Sequence, residues 1–175
     1  MTIKQDQIIK TALELFAKEG FHATSTGKIA RMANVSEGLI FRHFVNKDGL
    51  LEAILNQGQQ TIQTIFENIA KIEDPKKIIE AIIELPFMIQ PDEHNYWRLL
   101  YTLKWQQKKY DRVGVDFLMT VATDAFEKLG YENPTAEAEV LEMILDGAAT
   151  VILLKANRQE SEVIIKAIKE KYSQQ

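Results

Sequence analysis

Apolar residues recur at spacings of three and four along almost the whole chain, and short clusters of Gly, Pro, Asn and Asp interrupt them. Near the N-terminus, Ile9, Leu13, Phe16 and Ala17 share one helical face, flanked by Ile8, Ala12 and Leu15. Gly20 followed by Phe21 fits a left-handed stop with a hydrophobic latch back onto that helix. Asp74-Pro75 and Asn133-Pro134 each place a capping side chain ahead of a proline at the first helical position. Gln90-Pro91-Asp92 breaks the chain between helices, Pro86 should end or kink the helix that Pro75 opens, and Gly130 is a stop. No strand-like alternation of useful length occurs. The pattern predicts helices near 3–19, 26–33, 37–44, 47–72, 75–89, 92–108, 111–129, 134–157 and 160–172. The expected fold is all-α, with a small three-helix head over 1–47 and a helical body over 48–175 entered by one long helix.

The second and third helices have the spacing of a helix-turn-helix. Ser25 to Phe44 form two short amphipathic segments joined by a three-residue turn, each opening on a capping serine. Ile29, Ala30 and Ala33 must pack inward, Val35 plugs the turn, and Ile40 and Phe44 bury the back of the third helix. Ser36 caps that helix, and Glu37 in its first turn favours the dipole. This leaves Glu37, Leu39, Arg42 and His43 to face outward, with Gly38 offering close backbone approach. Arg42 suits a phosphate or a guanine edge, His43 suits a phosphate oxygen, and Lys47 follows at the start of the long helix. Thr26 and Lys28, near the N-terminus of the second helix, are placed for contact with the phosphate backbone. An ordinary solvated surface accounts for any one of these residues; the set together points to a major groove.

Charge sharpens that picture. Residues 1–47 carry seven Lys and Arg (Lys4, Lys10, Lys18, Lys28, Arg31, Arg42, Lys47) against Asp6, Glu14, Glu19 and Glu37. The head is therefore +3 in a chain of net −4, which leaves −7 for the body. A basic head on an acidic body suits a polyanion binder with a separate second task.

On these residues, positions 5–55 resemble the DNA-binding domain of the TetR family of bacterial transcriptional repressors. The resemblance is carried by Ala12, Leu15, Phe16, Gly20, Phe21, Thr24, Ile29, Ala30, Ala33, Val35, Ser36, Gly38, Phe41, His43, Phe44, Lys47, Leu50 and Leu51. It implies a homodimer whose recognition helices enter successive major grooves of a palindromic operator in double-stranded DNA. It also implies a helical C-terminal domain that binds a small-molecule effector and releases the DNA, and it adds Ser36 and Phe41 to the DNA-facing set. Three positions depart from the family pattern: Phe41 is usually a tyrosine that contacts phosphate, Gly27 usually a longer polar residue, and Val45 usually small or polar.

In the body, Trp97, Tyr101 and Trp105 rise on one side of the 92–108 helix, with Tyr96, Leu99 and Leu103 on another. With Phe87, Met88, Phe117 and Met119 they are the candidate lining of a site for an apolar or aromatic ligand. Plain core packing is the competing reading for each. The 134–157 helix is also apolar on two faces: Leu141, Ile144, Leu145, Ala148 and Ile152 on one, Val140, Met143, Gly147, Val151 and Leu154 on the next. One face should pack in its own domain and the other against a partner. The first face, with Ile164 and Ile168 of the last helix, is assigned to the dimer, as a four-helix bundle.

Chemistry of other kinds finds no footing. The histidines His22, His43 and His94 lie far apart, there is no cysteine, and no glycine-rich phosphate loop or nucleophile motif appears, so neither metal nor cofactor is expected. No signal peptide or membrane span is evident, which agrees with a cytoplasmic protein. The expected function is a ligand-responsive repressor. The alternative is a helical carrier of lipid-like molecules whose head no longer binds DNA.

Overall fold

The computed structural model describes residues 2–106, 112–155 and 161–172, all helix and connecting turns. In chain order the helices are α1 (Ile3–Glu19), α2 (Thr26–Met32), α3 (Glu37–Phe44), α4 (Lys47–Ala70), α5 (Pro75–Glu84), α6 (His94–Trp105), α7 (Val113–Lys128), α8 (Pro134–Lys155) and α9 (Ser161–Tyr172). Two 3₁₀ turns, Leu85–Met88 and Pro91–Glu93, lie between α5 and α6. The helix expected to run to residue 89 stops at Glu84 because Pro86 cannot donate into an α-helical ladder. Among the described residues no helix is long and apolar enough to cross a membrane.

The chain packs as two compact units, Met1–Thr61 with Asp92–Tyr110, and Ile62–Pro91 with Asp111–Gln175. The first is therefore larger than the head expected over 1–47. Its core explains why: Leu50, Leu51 and Ile54 of α4 and Leu99 and Leu103 of α6 are buried in one cluster with Ile8, Phe16, Ile29 and Ile40. Without those five side chains, three short helices would leave much of that core in water.

Local signals set the ends of the first unit's helices. Thr2 and Gln5 form a capping box at α1, with Gln5 N donating to Thr2 Oγ1 at 3.3 Å and Thr2 N to Gln5 Oε1 at 2.8 Å. Gly20 ends α1 at φ +90°, ψ 150°, a region open essentially to glycine alone and more extended than the expected left-handed stop. The latch is present: the Phe16 and Phe21 rings meet edge to face at 5.1 Å. Thr24, the buried hydroxyl of this unit, donates to the Gly20 carbonyl at 2.9 Å. Ser25 caps α2 through its Oγ, which accepts from Lys28 N at 3.2 Å. Ser36 has the backbone of an N-cap, but its side chain makes no capping bond.

The second unit is built on the isoleucines of α5. Ile78, Ile79, Ile82 and Ile83 pack with Phe66 and Ile69 of α4, Leu118, Ala122, Ala125 and Phe126 of α7, Ala138 and Leu141 of α8, and Ile168 of α9. Asp74 caps α5 as expected, its Oδ1 accepting from Lys76 N and Lys77 N. Gly130 closes α7 at φ +81°, and Tyr131 N donates back to the Phe126 carbonyl at 3.1 Å. Arg112 forks onto both carboxylate oxygens of Glu142 at 3.0 and 3.1 Å, tying the start of α7 to α8 and holding the guanidinium more firmly protonated than usual.

Candidate nucleic-acid interface

The outer face of α3 is fixed from behind. Ile40 and Phe44 are buried against Ile29, Ala30 and Ala33, which leaves Glu37, Gly38, Phe41 and Arg42 exposed. Leu39 is half-buried, packed onto the edge of the core, so it presents less surface than its outward position in the helical repeat suggests. Ser36 is exposed at the helix start. The Arg42 guanidinium stands in solvent and bonds to no other group among the described residues.

Several of the expected DNA-facing residues are already bonded to one another or to the scaffold. Thr26 Oγ1 donates to Glu37 Oε1 at 2.6 Å, joining the first residue of α2 to the first of α3. Lys28 Nζ reaches both carboxylate oxygens of Glu19 at 2.7 and 2.6 Å. That pair is solvated and worth little, so a phosphate can compete for the ammonium. His43 is half-buried, and its Nδ1 lies 3.2 Å from Gln5 Nε2. The capping box fixes Gln5 with its oxygen toward Thr2 N, so its NH₂ donates to His43 Nδ1. A neutral ring accepting at Nδ1 carries its proton on Nε2, as a donor.

Lys47 is occupied differently from expectation. Its Nζ donates to three backbone carbonyls of the loop between α1 and α2: Phe21 at 2.9 Å, His22 at 3.4 Å and Thr24 at 3.0 Å. It also sits 4.5 Å above the centre of the Phe21 ring.

The corner from α3 to α4 is tight. Val45 has φ +66°, ψ −49°, and Asn46 N donates to the Phe44 carbonyl at 2.7 Å, a three-residue γ-turn that β-branched residues rarely enter. Asn46 Oδ1 then accepts from Gly49 N at 2.8 Å and caps α4. A Cβ at Gly49 would strike the Phe44 carbonyl, so the corner requires glycine there.

Sequence reasoning missed Gln5 and Glu19 as neighbours of this face. The Thr2-x-x-Gln5 pattern announces a capping box, but a partner thirty-eight positions away, as His43 is from Gln5, leaves no local trace.

Residues 8–54, which run from within α1 through α3 to the first turns of α4, match the bacterial regulatory proteins of the tetR family. The HTH-type transcriptional regulator YvkB of Bacillus subtilis is 30% identical to this chain over 157 residues, covering 81% of the chain and 78% of YvkB. This chain belongs to the TetR family. It is a DNA-binding transcriptional regulator of that family, and its fold agrees. A TetR-like regulator from Rhodococcus sp. RHA1 superposes with a TM-score of 0.79 at 15% identity, covering 97% of this chain and 93% of its own. AibR, solved in complex with isovaleryl coenzyme A and operator DNA, gives 0.70 at 18% identity over 96% and 97% of the two chains.

In this TetR-family chain the expected ligand-lining residues fall into both units. Trp97 and Tyr101 are half-buried on α6 in the first unit, where Trp105 is 84% exposed at the helix end. In the second unit Phe87 and Met119 pack against the core, whereas Met88 (60%) and Phe117 (43%) are open to solvent. A separate groove of about 460 Å³ on the second unit is lined mainly by charge, with Lys76, Glu80, Lys166 and Lys169 among its walls, and by none of those seven residues.

The seven residues expected at the dimer interface are mostly turned inward within this chain. Leu141 and Ile168 are in the intramolecular core, Ile144 and Leu145 pack onto it, and Ala148 and Ile152 are half-buried. Of the seven, Ile164 is exposed. The stripe of α8 that stays open is the other one: Val140, Met143, Gly147, Val151 and Leu154, with Met143 69% and Leu154 78% exposed. The buried positions of α8 are Ala138, Leu141, Ala149 and Leu153, and the helix packs on α7 and on the 3₁₀ turn Leu85–Met88.

Proposed function

We propose that this regulator is a homodimeric repressor that holds a palindromic operator and leaves it when a small apolar or aromatic effector binds. The outer face of α3 carries the reading: Glu37, Gly38, Phe41 and Arg42 stand clear of the core where a helix-turn-helix meets the major groove. In this reading Arg42 grips a guanine edge or a phosphate, and His43 Nε2 donates to a phosphate. Thr26 and Lys28 lie along the neighbouring phosphates, while Ser36, Leu39 and Phe41 complete the contact surface.

The open stripe on α8, with Val163 and Ile164 of α9, supports a second copy as the partner. A twofold axis covers such a stripe with itself, and Gly147 at its middle admits close approach. The aromatic and methionine side chains on α6, α7 and the turn after α5 support an effector with an apolar body. AibR, of the same fold, is described with both an acyl-coenzyme A and operator DNA. An effector that prefers the DNA-free spacing of the two heads shifts the population off the operator, and DNA weakens the effector in return. Such a regulator works where its DNA lies, in the cytoplasm.

The test is selection of genomic fragments by the purified protein, with affinity followed across a salt series. An enriched palindrome bound with a steep salt slope supports the reading. Absent or sequence-indifferent binding, persisting after unfolding and refolding to strip bound ligand, overturns it and favours a carrier with a vestigial head.

A further inference from the structure

We propose that Lys47 is a positioning residue for DNA binding, holding the loop between α1 and α2 by its carbonyls, and not itself a phosphate ligand. The inference rests on the DNA-binding reading of the head.

An ammonium has three N–H donors and no more. All three are spent on the carbonyls of Phe21, His22 and Thr24, at 2.9, 3.4 and 3.0 Å, while the Phe21 ring lies beneath the charge at 4.5 Å. The side chain is half-buried, so leaving this nest for a phosphate would strand carbonyls as well as trade one set of charge-assisted bonds for another. Charge alone would place Lys47 on the DNA; its donor count places it on the loop.

The loop has reason to need it. Gly20 enters in a conformation reserved for glycine, and the carbonyls that follow converge instead of alternating. Thr24 Oγ1 takes the Gly20 carbonyl at 2.9 Å, and Lys47 takes three others. Two side chains thus satisfy four carbonyls of a five-residue turn, Gly20 to Thr24. Ser25 comes next, and it is the cap of α2: Lys28 N donates to its Oγ at 3.2 Å and Ile29 N to its carbonyl at 3.1 Å. The lysine that fixes the loop therefore fixes where the N-terminus of α2, with Thr26 and Lys28, meets the backbone of the duplex. A cation under those carbonyls also keeps their negative ends from facing the phosphates unbalanced.

The two roles predict different salt behaviour. A lysine on a phosphate releases counterions, so its loss lowers the log–log salt slope by about 0.9 per head. A lysine spent on carbonyls contributes no such release. The experiment uses the full-length Lys47→Met variant, which keeps the stem over Phe21, with Lys47→Gln as a second in case the first misfolds. Affinity for a fluorescein-labelled duplex carrying the enriched palindrome is measured across salt, well below the thermal midpoint. Amide hydrogen exchange over Phe21–Lys28 is followed without DNA.

The expected result is faster exchange in that segment, an affinity loss of about tenfold or more, in line with charge-assisted bonds, and a slope equal to wild type. A slope lower by about 0.9 per head overturns the proposal in favour of a phosphate contact. Unchanged affinity overturns it in favour of a purely structural lysine. Unchanged exchange overturns it whether or not DNA binds. Failure of the wild-type protein to bind any duplex counts against the DNA-binding reading instead.

Discussion

Replacing Gly58 with alanine should destabilise the protein, although the same change in an open helix stabilises it. Gly58 lies inside α4, where alanine is favoured over glycine by about 0.8–1.0 kcal/mol. Against that gain stands the ring of Tyr96. A Cβ on Gly58 falls well inside contact distance of the Tyr96 Cζ and Cε2 atoms and 2.5 Å from its hydroxyl oxygen. The ring cannot step aside freely, because it packs against the first core and its hydroxyl donates to the Leu55 carbonyl at 3.3 Å. Forcing it out costs about 1–3 kcal/mol for the overpacked site and about 1 kcal/mol for the weakened hydrogen bond. The penalties exceed the propensity gain, leaving a net loss of about 2 kcal/mol. In a chain of this size that is a fall of about 4–8 °C in thermal midpoint.

The sign is what makes the test sharp. In a Tyr96→Ala background the obstruction is gone and Gly58→Ala should raise stability by about 0.8–1.0 kcal/mol. Thermal and urea denaturation of the four proteins closes the double-mutant cycle. Gly38, where an added Cβ meets nothing within 4 Å, is the control and should gain when made alanine. A stabilising Gly58→Ala in the wild-type background, or additive effects in the cycle, would refute the idea that the Tyr96 ring lies across α4 at this glycine.

Val45→Gly should raise stability by about 1 kcal/mol, since relief of a positive φ is worth about 1–3 kcal/mol and added chain entropy takes back about 0.5–1 kcal/mol; Val45 is 77% exposed and loses little packing. A lowered urea midpoint would contradict the γ-turn. Burial pushes the Tyr96 and Tyr172 hydroxyls up to about 12, Tyr172 with help from the charge of Glu137. These groups therefore contribute stability that is complete below pH ~10 and is lost as pH rises through about 12, because the unfolded chain ionises first. Urea midpoints measured across that window should decline, and more shallowly in Tyr96→Phe; an equal decline would place the cause elsewhere. On the proposed homodimer, Met143→Glu should make the protein monomeric by light scattering without unfolding it, because it plants charge within the open α8 stripe; a surviving dimer would move the interface.

The helices were legible in the sequence because their ends are chemical. Thr2, Ser25, Asp74 with Pro75, Gly20 and Gly130 stop or start helices by bonds and dihedrals confined to a few residues. The outer side of α3 was legible because Ile40 and Phe44 so clearly claim the inner one. What failed to show was partnership. Apolar residues surround α8, so periodicity could not say which stripe the core takes, and two of its buried positions, Ala138 and Ala149, are alanines that stand out little from their neighbours. On α6, Trp105 looks like a core residue in the sequence and stands in solvent, whereas Leu99 and Leu103 close the core of the first unit. Lys47 shows the limit most plainly: its charge can be read from the sequence, but its acceptors are backbone carbonyls, which no letter records.

The placement of α6 bears on how an effector could act. Leu99 and Leu103 share a core with Ile8, Ala12 and Phe16 of α1, and α1 in turn supports α2 and α3. On the proposed reading, a ligand touching Trp97 or Tyr101 touches the DNA-binding unit itself. Any change in the position of α6 then alters what α1 packs on, with no long relay of side chains required. Such a ligand can shift operator affinity only by its own preference between two positions of α6, typically about 5–150-fold. The chain has two tryptophans, Trp97 and Trp105, and both lie on this helix, so its tryptophan fluorescence, excited selectively over tyrosine, reports on α6 alone. An effector that releases the operator should change that fluorescence, and operator DNA should raise the effector concentration needed for half the change by the same factor. Release without any fluorescence response would take α6 out of the coupling.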